Sequence, residues 1–284
     1  MDDILPRALI AAHLKPMTPI PTAVQYQGSL APPIRCLLCD IYGTLFISGS
    51  GDPGAAPGRE ELGHLLSPVL ARHGVPTAPG ILMDRLRQAI TRHHAAARQR
   101  GVDFPEVRIE EIWRELLPVK DDTAIRHFAL EFEMVVNPVW PMPHMAALLT
   151  ACRERHIRLG IISNAQFFTP GLFQLFLGES PEQLGFDPAL TFWSYRHGVA
   201  KPSDTLFALA AERLAAMGIT PRHTAYLGND MRKDILPARR AGFQTVLFAG
   251  DARSLRMGAD TPQTETKPDL FVTDLSQLIS WLDR

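Results

Sequence analysis

The chain has little that would place it outside a reducing compartment or in a membrane. It holds three cysteines in 284 residues, too few for a disulfide framework in a chain of this size. No uninterrupted apolar stretch is long enough to span a bilayer as a helix. The start, Met1-Asp2-Asp3-Ile4-Leu5-Pro6, lacks the basic leader and apolar core of a secretory signal. These absences lead to the expectation of a cytoplasmic protein. A net charge of −1 offers no basic surface, so neither nucleic acid nor an anionic membrane is expected as a partner. There is no internal repeat and no low-complexity tract. The length suits one large domain or two small ones.

What is present is a set of apolar runs that each stop on a group able to do chemistry. Ile34-Arg35-Cys36-Leu37-Leu38-Cys39 is apolar apart from Arg35 and is bounded by Pro32-Pro33 and Gly43. That pattern predicts a strand buried on both faces of a parallel sheet. It stops on Asp40, followed by Ile41-Tyr42-Gly43-Thr44. A second run, 159–162, stops on Ser163-Asn164. A third, 190–195, leads into Gly198-Val199-Ala200-Lys201-Pro202. A fourth, 225–227, stops on Gly228-Asn229-Asp230-Met231-Arg232-Lys233-Asp234. In an open α/β sheet, ligands bind outside the carboxyl ends of the strands. A carboxylate, a hydroxyl with an amide, an ammonium and a carboxylate pair would therefore converge on one edge. Asp40 there can attack an electrophile, and Thr44 offers a hydroxyl at the same mouth. Cys36 and Cys39 spell a C-x-x-C, but residues three apart on a strand face opposite ways. They are read as buried strand cysteines rather than a zinc or redox pair.

In kind and in order, these segments resemble the four motifs of the haloacid dehalogenase superfamily, whose members are mostly phosphatases. The resemblance covers residues 34–284. It implies an α/β fold with a Rossmann-like three-layer core, a central parallel sheet, and an all-helical cap inserted after the first strand. It also implies that Asp40 is the nucleophile, that Ser163, beside Asn164, holds the transferred phosphoryl group, and that Lys201 neutralises both. Asp230 and Asp234 would hold Mg²⁺ together with Asp40 and the backbone carbonyl of Tyr42. The chemistry agrees, because phosphoryl transfer is mostly positioning and charge stabilisation and Mg²⁺ prefers hard oxygen ligands. If Asp234 opens a helix, its spacing of four from Asp230 lets both face one pocket, and Asp234 could also cap that helix.

Tyr42 departs from the phosphatase pattern, in which a second aspartate stands two positions after the nucleophile. The Asp-x-Tyr-Gly-Thr form is similar to the 2-haloacid dehalogenase branch, which displaces halide without an acid or a metal. Tyrosine, with an ordinary pKa near ~10, would be a poor base. Three readings follow: a Mg²⁺-dependent phosphatase working slowly or on a good leaving group; a dehalogenase using Asp40 on carbon; and a binding protein that kept the fold and lost turnover.

Along the chain, residues 1–29 form an N-terminal extension with one short helix expected over 4–14. Residues 30–50 and 139–284 make the core, and a Gly/Pro-rich linker over 48–58 leads into a cap over 51–138. Helical periodicity there predicts helices at 61–72, 79–100, 109–117 and 121–136. A closing cap excludes water and suits a small anionic substrate. Arg87, Arg92, His93 and His94 on one helix, and Gln166 after the second motif, are the candidates to meet it. Arg87 would be the best match to the arginine a haloacid needs. The loop 101–107 is expected over the pocket. His93 and His94 point about 100° apart on a helix and are not expected to share a metal. The protein is expected to be a monomer or homodimer.

Overall fold

The computed structural model describes residues 6–50, 59–258 and 267–282. Among the described residues, nine strands form in chain order: β1 Gln27–Gly28, β2 Cys36–Cys39, β3 Phe46–Ser48, β4 Val139–Pro141, β5 Arg158–Ser163, β6 Phe186–Trp193, β7 Thr224–Gly228, β8 Gln244–Phe248 and β9 Leu270–Val272. Seven of them make one sheet in the order β1-β9-β8-β7-β2-β5-β6. All of its pairings are parallel except β1 with β9. This is the expected α/β core.

The first motif strand, β2, lies between β5 and β7, and every residue of it is buried. A strand covered on both faces has no polar alternation, which is why it reads as a continuous apolar run. Leu37 and Cys39 join one apolar cluster, with the helices Met145–Glu154 and Thr169–Leu177. Cys36 and Leu38 join another, with the helix Thr205–Ala216. The two cysteines thus face opposite layers, as the strand period requires. Among the described residues, no helix is long and apolar enough to cross a membrane.

One strand differs from expectation. The run 190–195 is part of β6, which starts earlier, at Phe186, and ends at Trp193; Ser194–His197 is a helical turn. β6 is the edge of the sheet, with exposed Pro188 and Ala189. An edge position tolerates proline and polar residues, so its first half carries no apolar signal.

Between β3 and β4 the chain forms a helical insert: Arg59–Arg72, Pro79–Gln99, Ile109–Leu116 and Asp122–Val136. Asp121 caps the last of these by accepting from the Ala124 N–H at 2.7 Å. Trp113 packs edge-on against Phe128 and Phe132, with ring centroids 4.9 and 4.8 Å away. β3 and β4 pair antiparallel and bring the two ends of the insert together. The Asn137 carboxamide oxygen ties this stem by accepting from Ser48 Oγ at 2.7 Å and from the Ser50 N–H at 3.2 Å. Most of the expected linker, residues 51–58, lies outside the described residues, as do residues 4 and 5 of the expected first helix.

The N-terminal segment bridges insert and core. The turn Arg7–Ile10 buries Ile10 completely. His13 Nε2 lies 3.1 Å from Glu131 of the insert, a fully buried carboxylate also held by Arg72 and His73. A few residues on, the Thr18 carbonyl accepts from Arg253 and the Ile20 N–H donates to Asp251. The Thr22 hydroxyl then donates to the Ala249 carbonyl.

A methyl group at Gly160 on β5 would sit 2.5 Å from both the Leu190 carbonyl oxygen and Leu38 Cδ2. Gly160→Ala should therefore cost about 1–3 kcal/mol through overpacking, read as a lower denaturation midpoint. Gly63, in the helix Arg59–Arg72, has open space around it. Gly63→Ala should be neutral or stabilise by up to about 1 kcal/mol.

Candidate active site

Because β2, β5 and β7 run parallel, their carboxyl ends bring Asp40, Ser163-Asn164 and Asn229-Asp230 to one edge. The Lys201 ammonium is the centre of the group. It lies 2.7 Å from Asp40 Oδ1 and 2.6 Å from Asp234 Oδ1. Burial opposes its charge, but Asp234 and Asp40 outweigh that and hold its pKa above the ordinary value. Burial pushes Asp40 up to about 6, against the pull of Lys201. The fully buried Ser163 hydroxyl also favours the ionised form of the same carboxyl and donates to the Asn164 carbonyl at 3.4 Å. The lysine is aimed by Asn164, whose side chain accepts from the Lys201 N–H at 2.7 Å and donates to its carbonyl at 3.1 Å.

Asp234 is fully engaged. Its Oδ1 meets the ammonium and, at 3.0 Å, the Tyr226 hydroxyl. Its Oδ2 accepts from the N–H groups of Asn229 and Asp230 at 3.1 and 3.0 Å. It does not cap a helix. Residues Met231–Ile235 form a π-type turn, a feature frequent at functional sites. The cap of that turn is Asp230, whose Oδ1 accepts from the Arg232 and Lys233 N–H groups. Thr44 is also committed, donating to Asn229 Oδ1 at 3.1 Å. Gly43 is at φ +79°, and a side chain there would collide with Ser254 and Asn229. The first motif therefore needs glycine for both its turn and its space.

A cavity of about 300 Å³ opens over Asp40, Tyr42, Lys201, Asn229 and Asp230. The insert supplies its far wall through Ile90, His94, Glu106, Val107, Ile109 and Glu133. Gln166 joins the two sides: its amide donates to Glu106 Oε1 at 3.2 Å and the Val107 carbonyl at 3.0 Å, and its oxygen accepts from the Ile109 N–H at 2.9 Å. The Ser194 hydroxyl donates to Glu106 Oε2 at 2.8 Å. The loop 101–107 is further held by main-chain bonds from the Glu106 N–H to Gly198 and from the Ala200 N–H to Phe104. Among the described residues, no group of three or more His, Cys, Asp or Glu side chains is placed to hold a metal ion.

A family model of haloacid dehalogenase-like hydrolases matches residues 34–242, the span that carries this whole constellation. The chain belongs to the haloacid dehalogenase-like hydrolase family. This hydrolase is 31% identical over 136 residues to a phosphoserine phosphatase from Thermus thermophilus, a match spanning 48% of this chain and 49% of the relative. It thus spans about half the length of that curated relative. A solved 2-haloacid dehalogenase from Pseudomonas syringae pv. Tomato DC3000 superposes with a TM-score of 0.55 at 19% identity, covering 89% of this chain and 99% of that one. A phosphatase of the superfamily from Thermococcus onnurineus superposes with a TM-score of 0.51 at 15% identity, covering 88% and 98%. The two structures share the fold with this hydrolase.

Several candidates lie elsewhere in this hydrolase. Arg87 pairs with Asp84 on the surface, and Arg92 and His93 pair with Glu115; none lines the cavity. The buried positions of their helix are Leu82, Leu86 and Ala89. That rotation turns Ile90 and His94, four apart, toward the cavity and carries Arg87, Arg92 and His93 outward. Phe167 packs beneath Arg126 of the insert, 4.1 Å from the guanidinium carbon to the ring centre. Tyr226 and Glu133 were not anticipated, while Glu106 belongs to the loop expected over the pocket and does line the cavity. A tyrosine inside an apolar strand must find a polar partner, and a glutamate inside an apolar helix must find one as well. Those are the signals that could have exposed Tyr226 and Glu133.

Removing the shared ammonium leaves two buried carboxylates without a counter-charge. Lys201→Met should destabilise the fold by about 3–5 kcal/mol at neutral pH. The raised pKa of Asp40 sets the sign of the pH dependence. Its proton is bound more tightly folded than unfolded, so the stabilisation that proton brings is full below the ordinary 3.8 and lost as pH rises through about 6. Lys201 holds that pKa down, so its loss raises it further, and the deficit of Lys201→Met should shrink as pH falls toward about 6 and level off below it, measured by urea denaturation across pH.

Proposed function

We propose that this hydrolase is a phosphatase of a small, anionic phosphorylated metabolite, working through an aspartyl-phosphate on Asp40. The observation that carries the reading is the single buried lysine shared by Asp40 and Asp234. A phosphoryl group brought against Asp40 adds negative charge, and a fixed ammonium in a water-poor site is strongest where that charge develops. Asp40 attacks phosphorus, and the alcohol leaves. Water then attacks the aspartyl-phosphate, releasing inorganic phosphate and restoring the carboxylate. The helical insert acts as a cap, held down by the Gln166–Glu106–Ser194 contacts, and keeps bulk water from the intermediate.

Mg²⁺ is the expected cofactor, and the donor set fits it. Hard oxygens are available from the Asp40 and Asp230 carboxylates and the backbone carbonyl of Tyr42, and all three residues line the cavity. Asp234 also lines the cavity, but both of its oxygens are engaged, so it supports this set as the partner of Lys201. When bound, the cation would supply further neutralisation of phosphoryl charge.

The Tyr42 side chain is not suited to carry the proton. Its hydroxyl lies 2.9 Å from Thr169 Oγ1, and burial pushes its ionisation well above the ordinary range. A dehalogenase acting on carbon needs a cap arginine for the haloacid carboxylate, and Arg87 is on the outer surface. That favours phosphorus over carbon as the target.

Phosphate release from p-nitrophenyl phosphate is the test. It should require Mg²⁺, stop with EDTA, and fall by about a thousandfold or more in Asp40→Asn. Tyr42→Phe should keep it within about threefold, since only a bond to Thr169 is lost. Chloride release from 2-chloropropionate with no phosphate release would replace this reading with the dehalogenase one.

A further inference from the structure

With Tyr42 unsuited to proton transfer, the site still needs a group to protonate a poor leaving oxygen. The cavity contains a carboxyl that no step above uses. Glu133, on the helix Asp122–Val136, lines the same cavity as Asp40 and is near enough for its charge to act on Tyr42, two residues from Asp40. Among the described residues, its side chain forms no salt bridge. Its one hydrogen bond is a long one, accepted at Oε1 from Asn137 Nδ2 at 3.3 Å. Asn137 is itself fixed to the stem by Ser48 and Ser50, so the Glu133 carboxyl is placed by a rigid neighbour, and Oε2 has no hydrogen-bond partner among the described residues.

The two other titratable groups on the insert's wall are less suited. Glu106 has both oxygens committed, to Gln166 and the Val107 N–H on one side and to Ser194 on the other. It holds the insert's loop to the core. His94 presents a buried Nε2 with no partner among the described residues, but burial, then Arg98 and His93, hold it below its ordinary pKa. It is neutral near pH 7 and a weak acid there.

We propose that Glu133 is the general acid and base of this site, replacing from the insert the aspartate that the first motif lacks. The proposal rests on the phosphatase reading above. In the first step, Asp40 forms a bond to phosphorus as the ester P–O bond breaks. The electron pair goes to the leaving oxygen, which takes the Glu133 proton and departs as a neutral alcohol. In the second step the Glu133 carboxylate takes a proton from water as the water oxygen bonds to phosphorus. The P–O bond to Asp40 breaks, Asp40 recovers its carboxylate, and Glu133 is again protonated. One group serves both steps because leaving oxygen and incoming water occupy the same side of phosphorus, opposite Asp40. Burial pushes the Glu133 carboxyl up to about 7, so both of its forms are populated near neutrality, as such a role needs. Its charge also acts on the Tyr42 hydroxyl, adding to the upward push on that group.

The test compares two leaving groups. Nitrophenolate departs without protonation, whereas a simple alkoxide does not. In Glu133→Gln, kcat/KM for propyl phosphate should fall by about 100-fold or more. For p-nitrophenyl phosphate it should stay within about threefold, because that constant reports the first step alone. Nitrophenolate should then appear as a burst, since the second step has lost its base. Glutamine is nearly isosteric and can still accept from Asn137, and an unchanged melting temperature would verify the fold. Glu106→Gln should lower both substrates alike. Equal loss on both substrates in Glu133→Gln, or loss on neither, would overturn the proposal while leaving the phosphatase reading standing. Absence of phosphate release from either substrate by the unaltered protein would overturn both.

Discussion

Two buried carboxylates share one ammonium, and the rest of the site is arranged around that arithmetic. Asp40 and Asp234 come from the ends of adjacent strands, β2 and β7, and Lys201 reaches them from the loop after β6. Either carboxylate alone in such burial would stay neutral, and the lysine alone would lose its proton. Together they keep a net negative charge that a divalent cation or a substrate change can answer. Asp234 is the fixed member, pinned by two backbone N–H groups and the Tyr226 hydroxyl. Both line the cavity, but among the described residues Asp40 has no such backbone ties. The division explains why two aspartates in the same sheet edge have different work.

Much of this was legible in the residues. A central parallel strand has no solvent face, so β2, β5 and β7 read as uninterrupted apolar runs, and the groups that end them are conspicuous. Other parts were hidden for physical reasons. β6 lies at the sheet edge, where Pro188 and exposed residues interrupt the apolar signal. The roles of Asp230 and Asp234 depend on a π-type turn, which shifts side chains relative to the helical register assumed from their spacing. On the helix Pro79–Gln99, one residue of rotation separates His93, paired with Glu115 at the surface, from His94, at the cavity. Periodicity located that helix well; which residues it offers to the core edge was settled by the packing of Leu82, Leu86 and Ala89. Glu133 was the hardest to foresee, since its significance depends on what lies across the cavity.

The helical insert is not a loosely attached module in this conformation. Its apolar residues, such as Leu66 and Trp113, belong to the same cluster as Leu37 of the central strand. Gln166 uses its whole carboxamide on the insert's loop. Charge and packing therefore cooperate: the contacts that enclose the cavity also lower the local dielectric, and that strengthens every interaction with Lys201.

The N-terminal segment adds a constraint of a different kind. It is anchored on the insert through buried Ile10 and the His13–Glu131 contact, and on the core through Thr18, Ile20 and Thr22. The five steps from His13 to Thr18 can span at most about 18 Å when fully extended. That stretch is a leash. The insert can lift from the sheet only as far as the leash reaches while both anchorages hold. Were the insert to lift, the width of the entrance would thus be limited partly by a piece of chain outside the cavity lining.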